Sequence, residues 1–129
     1  MRIRIATVAE YPTARSILNA AMLTVESGLL RRSSVFVAVE EGRILGALVL
    51  RGSEIEAIAV RPGRRGQGIG TAIVERALAR RPVVVAGFDP AVRPFYQHLG
   101  FEVRCSGGRC RGRLTSSRGP GTRPRSRTG

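Results

Sequence analysis

The sequence predicts a mixed α/β domain: one sheet covered by helices, in the order strand, helix, three strands, helix, strand, helix, strand. Three observations predict it. Apolar residues switch between strand-like and helix-like spacing along residues 1–103. Two turn signals, Glu41-Gly42 and Gly52-Ser53, stand between β-branched runs and fold three strands back and forth. The run "PVVVAG" at Pro82–Gly87 is nearly all apolar, as in a strand covered on both faces. A helical segment separates it from the strand before it, so these two strands must run parallel.

Each element follows from its residues. "RIRIA" (Arg2 to Ala6) reads as a short strand. Thr7 and Glu10 then form a capping-box pattern. Ala14, Ile17, Leu18, Ala21, Met22 and Val25 recur at helical spacing. Pro12 delays the regular helix to about its own position, and Gly28 is the expected stop. "VFVAVE" (Val35 to Glu40) and "RILGALVL" (Arg43 to Leu50) pair as a hairpin, and "EIEAIAV" (Glu54 to Val60) follows. After a glycine-rich loop, Ile69, Ile73, Val74, Ala77 and Leu78 mark a helix running to about Arg80. "DPAVRPFYQHL" is a short helix that ends at Gly100, with Phe95 and Leu99 as its core pair. "FEV" starts another strand.

A chain of 129 residues has room for one modest core. No apolar run approaches the ~20 residues of a membrane helix. The opening "MRIRIATVAEYP" has no signal-like apolar stretch. A cytoplasmic protein with no membrane association is expected. The two cysteines, Cys105 and Cys110, fit no metal spacing and read as incidental thiols. No metal is expected.

The net charge is +13, and every basic residue is arginine. Residues 1–103 hold 14 arginines and 9 acids; residues 104–129 hold 8 arginines and no acid. The composition break at Arg104 predicts a domain over 1–103. The tail over 104–129 should be disordered apart from a possible short strand near 109–114. Such a tail offers phosphate contacts, so a nucleic-acid partner is open through the tail alone.

"RPGRRGQGIG" (Arg61 to Gly70) packs four glycines and three arginines between a strand and a helix. At such a junction backbone amides converge and the helix dipole is positive, which suits a pyrophosphate. Gly66, Gly68 and Gly70 let the chain wrap closely, the amides of Arg65 to Thr71 can point at the guest, and Arg64 and Arg65 add charge. The G-x-G-x-x-G dinucleotide fingerprint is not spelled here, and a G-K-[ST] phosphate loop needs a lysine that the chain lacks. The pattern R-x-x-G-x-G is met by Arg65, Gly68 and Gly70.

Here "IAVRPGRRGQGIGTAIVERAL" resembles the acetyl-CoA loop of the GNAT N-acetyltransferases, and "PAVRPFYQHLGF" resembles that superfamily's second landmark, a helix with a tyrosine followed by Gly-Phe. The resemblance spans roughly Ile3 to Val103. It implies a three-layer α-β-α fold with a splayed central mixed sheet. It implies acetyl-CoA as co-substrate, a primary amine as acceptor (a small molecule or a peptide N-terminus), and a monomer or homodimer. The backbone of Ile58, Ala59 and Val60 would pair with the pantetheine arm. The amides of Arg65, Gly66, Gln67, Gly68, Ile69, Gly70 and Thr71 would hold the pyrophosphate. Asp89 would contact the cofactor or cap its helix. Tyr96 matches the residue that protonates the leaving thiolate. Glu54 matches a strand carboxylate that serves as general base, and Glu56 lies two residues on, on the same face by strand alternation.

These residue types suit the chemistry. An amine attacks only when deprotonated, so a carboxylate or a water chain must take a proton. A backbone N–H near Ile58 is a candidate donor to the developing oxyanion. His98, two residues from Tyr96, faces away from it. Two other readings remain: a non-catalytic acetyl-CoA sensor, and a nucleic-acid-binding protein.

Overall fold

The computed structural model describes residues 1–21 and 25–116, and the backbone alone of Ser27. Met22 and the tail expectation for residues 117–129 lie outside the described residues. Seven strands form one sheet in the order β1-β2-β3-β4-β5-β7-β6. They are β1 (Arg2–Ile5), β2 (Ser34–Glu40), β3 (Arg43–Arg51), β4 (Glu54–Val60), β5 (Val83–Phe88), β6 (Glu102–Ser106) and β7 (Arg109–Thr115). The helices are α1 (Tyr11–Ala20), α2 (Ser27–Arg31), α3 (Ile69–Leu78) and α4 (Arg93–His98).

Strands β1 to β4 form an antiparallel meander. The β2–β3 turn places both Glu41 (φ 51°) and Gly42 (φ 77°) in the left-handed region. That is the backbone of a two-residue turn whose twist matches the strands it joins. Alternation in β2 to β4 feeds two cores. Phe36, Leu48, Ile58 and Val60 pack on the face covered by α3 and α4. Val35, Val37, Val49 and Ala57 pack on the other face, with Leu18 of α1 and Leu30 of α2. The fold is therefore three-layered, with apolar stripes of helices closing both sheet faces.

The junction of β4 and β5 differs from every other. These strands are parallel and share a single register pair, Glu54 with Val85, next to a bond from Val85 N to Ser53 O of 2.8 Å. Beyond that point the two strands have no pairing with each other. A bulge contributes. Val49 faces Ala57 while Leu50 faces Ile55, so Glu56 is an extra residue in β4. A bulge bends its strand and sharpens the local twist.

Four sequence expectations need correction. The first helix ends at Ala20, and Gly28 lies inside α2 rather than at a stop. The cap residue Ala21 (φ −92°, ψ 18°) turns the chain without glycine. The composition break at Arg104 falls inside β6, because an edge hairpin needs only one apolar face. Val103 and Leu114 pack against the core on that face and Cys110 is buried there, while the arginines take the other. Cys105 and Cys110 are joined in a disulfide rather than standing as separate thiols. The hairpin register sets them directly opposite each other, a juxtaposition their sequence spacing alone does not reveal. In α4, Phe95 is exposed and Tyr96 is buried, the reverse of the expected core assignment. A 3-10 turn over Pro90–Val92 comes first, so the helix restarts at Arg93 with Pro94 in its first turn. There the missing amide costs nothing, and the helical phase shifts. No helix among the described residues is long and apolar enough to cross a membrane.

Candidate active site

The loop between β4 and α3 is anchored at its start. Arg61 donates from its backbone N to Leu45 O (2.8 Å) and from Nε to Ile44 O (2.7 Å). Arg64 pairs with Glu40 and donates from Nε to Gln67 Oε1 (2.9 Å). Arg64 also holds the Glu40 carboxyl below its ordinary range. Arg64 therefore braces the loop instead of lending free charge to a ligand. Gly66 (φ 78°) and Gly68 (φ 80°) are left-handed, and Gly68 caps the N-terminus of α3. None of the amides from Arg65 to Thr71 donates to a described protein acceptor. The first amides of any helix lack intrahelical partners; here the loop extends that set of free donors ahead of a ten-residue helix. Such a nest carries partial positive charge and accepts an anion. Leu99 and Phe95 approach Gly70 from α4, so α4 walls the loop on one side.

The loop opens onto the parted strands. Since Arg61 N bonds to β3, alternation turns the backbone of Ala59 toward β3 as well, while the N–H and C=O groups of Ile58 and Val60 face the gap. The polar backbone of Ala59 is directed to the sheet. At Val60 the gap-facing carbonyl already accepts from Arg65 Nε (3.2 Å). The edge of β4 thus presents unpaired backbone groups to an extended guest, and the loop presents amides to an anionic one. A groove of about 380 Å³ starts at Thr71 and runs along α3 between Val74, Leu78, Leu99 and Leu114.

Tyr96 lies beside the gap. Its ring stacks on Phe88 (centroids 4.0 Å apart, 6° between planes) and meets Phe101 edge-on at 5.3 Å. Burial, with Glu54 adding to it, pushes the phenol up to about 12. The hydroxyl has no hydrogen-bond partner among the described residues. Ser33 Oγ is the one unpartnered side-chain polar atom sealed from solvent among the described residues, so the Tyr96 oxygen keeps a route to water. Asp89 accepts from Ala91 N (2.8 Å) and caps the turn before α4. His98 is exposed.

The bulge falls at the second of the two carboxylates. Ile55 packs in the same core as Ile58, while Ala57 packs in the other. The period of two is broken between Ile55 and Ala57, so alternation alone assigns Glu56 no face. Glu56 is exposed and has no ion pair among the described residues. Glu54 is held by Arg111 of β7 through two bonds of 2.9 and 3.2 Å. Arg111 is the residue that sequence reasoning missed. Nothing in the local sequence signals it, because 57 residues separate the partners and the pairing depends on β7 lying beside β5. Among the described residues, no three His, Cys, Asp or Glu side chains stand together as metal ligands would.

Comparison with known proteins agrees with this geometry. The acetyltransferase (GNAT) domain model matches residues 31–103. A peptidyl-lysine N-acetyltransferase, YjaB of Salmonella typhimurium, is 32% identical over 81 residues, which are 60% of this chain and 56% of that protein. The matched part thus spans little more than half the length of that relative. Among solved structures, Tetrahymena GCN5 superposes with a TM-score of 0.73 at 11% identity, covering 89% of this chain and 96% of that one. A GNAT family acetyltransferase from Elizabethkingia anophelis with acetyl-CoA bound gives 0.70 at 20% identity, covering 89% and 97%. These two likenesses establish the fold.

Proposed function

Because this chain belongs to the GNAT acetyltransferase family, we propose that it is an acetyl-CoA-dependent N-acetyltransferase acting on a primary amine by direct attack on the thioester. One observation carries the reading. The sheet parts after a single β4–β5 pair, beside a loop whose amides from Arg65 to Thr71 are free. Acetyl-CoA, when bound, supplies an acetyl thioester and leaves as the thiol.

The chain's own residues divide the remaining work. The loop amides and the α3 dipole hold the pyrophosphate. Ile58 and Val60 offer backbone groups to the pantetheine arm. The Ile58 N–H is the donor placed to meet negative charge developing on an oxygen in the gap. Tyr96 donates its proton to the departing sulfur. With a pKa of about 12 it is protonated throughout the neutral range, and its stack on Phe88 fixes the ring. Glu54 or Glu56 takes the proton that the amine must lose. Glu56 is free to do so at once, whereas Glu54 must first leave Arg111. Asp89 shapes the start of α4. We place the reaction in the cytoplasm.

Calorimetric titration with acetyl-CoA, followed by a turnover screen over small amines and peptide N-termini, tests the reading. One-to-one binding with turnover on at least one amine is expected. Binding without turnover on any of them supports a sensor instead.

A further inference from the structure

The face of the sheet opposite α3 and α4 carries a second feature. In β7, Cys110, Gly112 and Leu114 pair with Phe88, Ala86 and Val84 on the α3–α4 side, so Arg109, Arg111 and Arg113 lie on the other side. β6 adds Arg104, directly opposite Arg111. Like charges in that position repel. They also converge. A Cβ built on Gly87 would stand 3.5 Å from Arg111 Nη1 and 3.6 Å from Arg109 Nη2, so two guanidinium groups lie over the same bare stretch of β5. Gly87 has no left-handed φ to explain it; its missing side chain leaves the floor open for them. Arg104, Arg109, Arg111 and Gly87 line a groove of about 420 Å³. Its neutralising carboxylate is Glu54, on Arg111 alone; Arg104 and Arg109 have no ion-pair partner among the described residues.

The groove adjoins the gap. Glu54, which binds Arg111, forms the single pair at which β4 and β5 part. Gly87 precedes Phe88, whose ring lies under Tyr96 on the opposite face of β5. We infer that the arginines form the acceptor subsite, and that the acceptor is a small primary amine that also carries a compact anion, a carboxylate or a phosphate. Guanidinium forks suit either anion. The inference rests on the acetyltransferase reading and narrows its acceptor. An acceptor anion seated on Arg104 and Arg109 competes with Glu54 for Arg111. That competition frees the Glu54 carboxylate beside the amine. The amine nitrogen then bonds to the acetyl carbon as the carbon–sulfur bond breaks; Glu54 takes the amine proton and Tyr96 supplies one to sulfur. A cationic lysine side chain, by contrast, meets like charge there.

The experiment uses the full chain and measures two things separately: acetyl-CoA affinity by calorimetry, and kcat/KM at saturating acetyl-CoA. The probes are β-alanine, O-phosphoethanolamine, propylamine and a lysine-containing peptide. At least one anionic amine should exceed propylamine and the peptide by tenfold or more, and the first two probes decide between carboxylate and phosphate. Arg104→Gln and Arg109→Gln should each raise KM for that amine about tenfold, with acetyl-CoA affinity and melting temperature unchanged. Arg109→Lys should recover part of the loss. Preference for propylamine or the peptide overturns the inference, as does absence of turnover on both anionic amines by a chain that binds acetyl-CoA. Salt-sensitive DNA binding through these arginines, without any preference among amines, overturns it too. Failure to bind acetyl-CoA overturns the parent reading itself.

Discussion

Tyr96→Phe removes one oxygen from a ring that stays stacked on Phe88 and edge-on to Phe101. Packing should survive, so the substitution isolates the proton. If Tyr96 is the acid, turnover should fall by roughly 10²–10⁴ while acetyl-CoA affinity holds, as steady-state kinetics and calorimetry would show. Because burial keeps the phenol protonated up to about 12, the alkaline side of the pH–rate profile should show no loss from Tyr96 below that value. Gly68 offers a second isolating change. Its φ of 80° is left-handed, and nothing lies within 4 Å of a Cβ built there. Asn tolerates that conformation better than other side chains. Gly68→Asn should therefore melt within a few degrees of the parent, yet bind acetyl-CoA about tenfold more weakly or worse, because its side chain occupies the anion's place. Unchanged affinity would remove the loop from the site. Both residues were legible as spacing in the sequence. The Glu54–Arg111 pair was not, since it depends on which strand neighbours β5.

At the scale of elements, the first strand and first helix are joined by one carboxylate. Glu10 accepts from Arg4 through two bonds of 2.8 and 2.7 Å and from Thr7 N at 2.9 Å. Arg4 first, then the Thr7 amide, pull its carboxyl down from 4.5 to about 2. A group lowered on folding stabilises the fold above its unfolded value and loses that contribution as pH falls through the folded one. Stability should thus decline between about pH 4.5 and 2, and Glu10→Gln should flatten that part of a melting-temperature profile. A profile identical to the parent's would show that the tether contributes nothing. The capping pattern at Thr7 and Glu10 could be read from the sequence, but Arg4 as its partner could not. The β6–β7 hairpin was the least legible element. Its residues look like a charged tail because one face alone is apolar. Gly112 lies so close to Phe88 and Phe101, at 3.1 Å from a built Cβ, that a side chain there would push the rings apart.

At the scale of the molecule, the succession of strands and helices along the chain and the parallel sense of β4 and β5 followed from alternation, turn residues and one apolar strand. The parting of β4 from β5 came only with the family resemblance, which implies a splayed sheet. The extra residue Glu56 bends β4 beside it, and a bulge leaves no mark in composition. That gap is what turns a glycine-rich loop into a site, since an extended guest needs both the free edge of β4 and the free amides of the loop. Amide hydrogen exchange with and without acetyl-CoA tests this most directly. New protection is expected at the amides of Arg65 to Thr71 and at Ile58 and Val60, with little change along β6 and β7. Unaltered exchange at the loop, or protection confined to the β6–β7 hairpin, would contradict it.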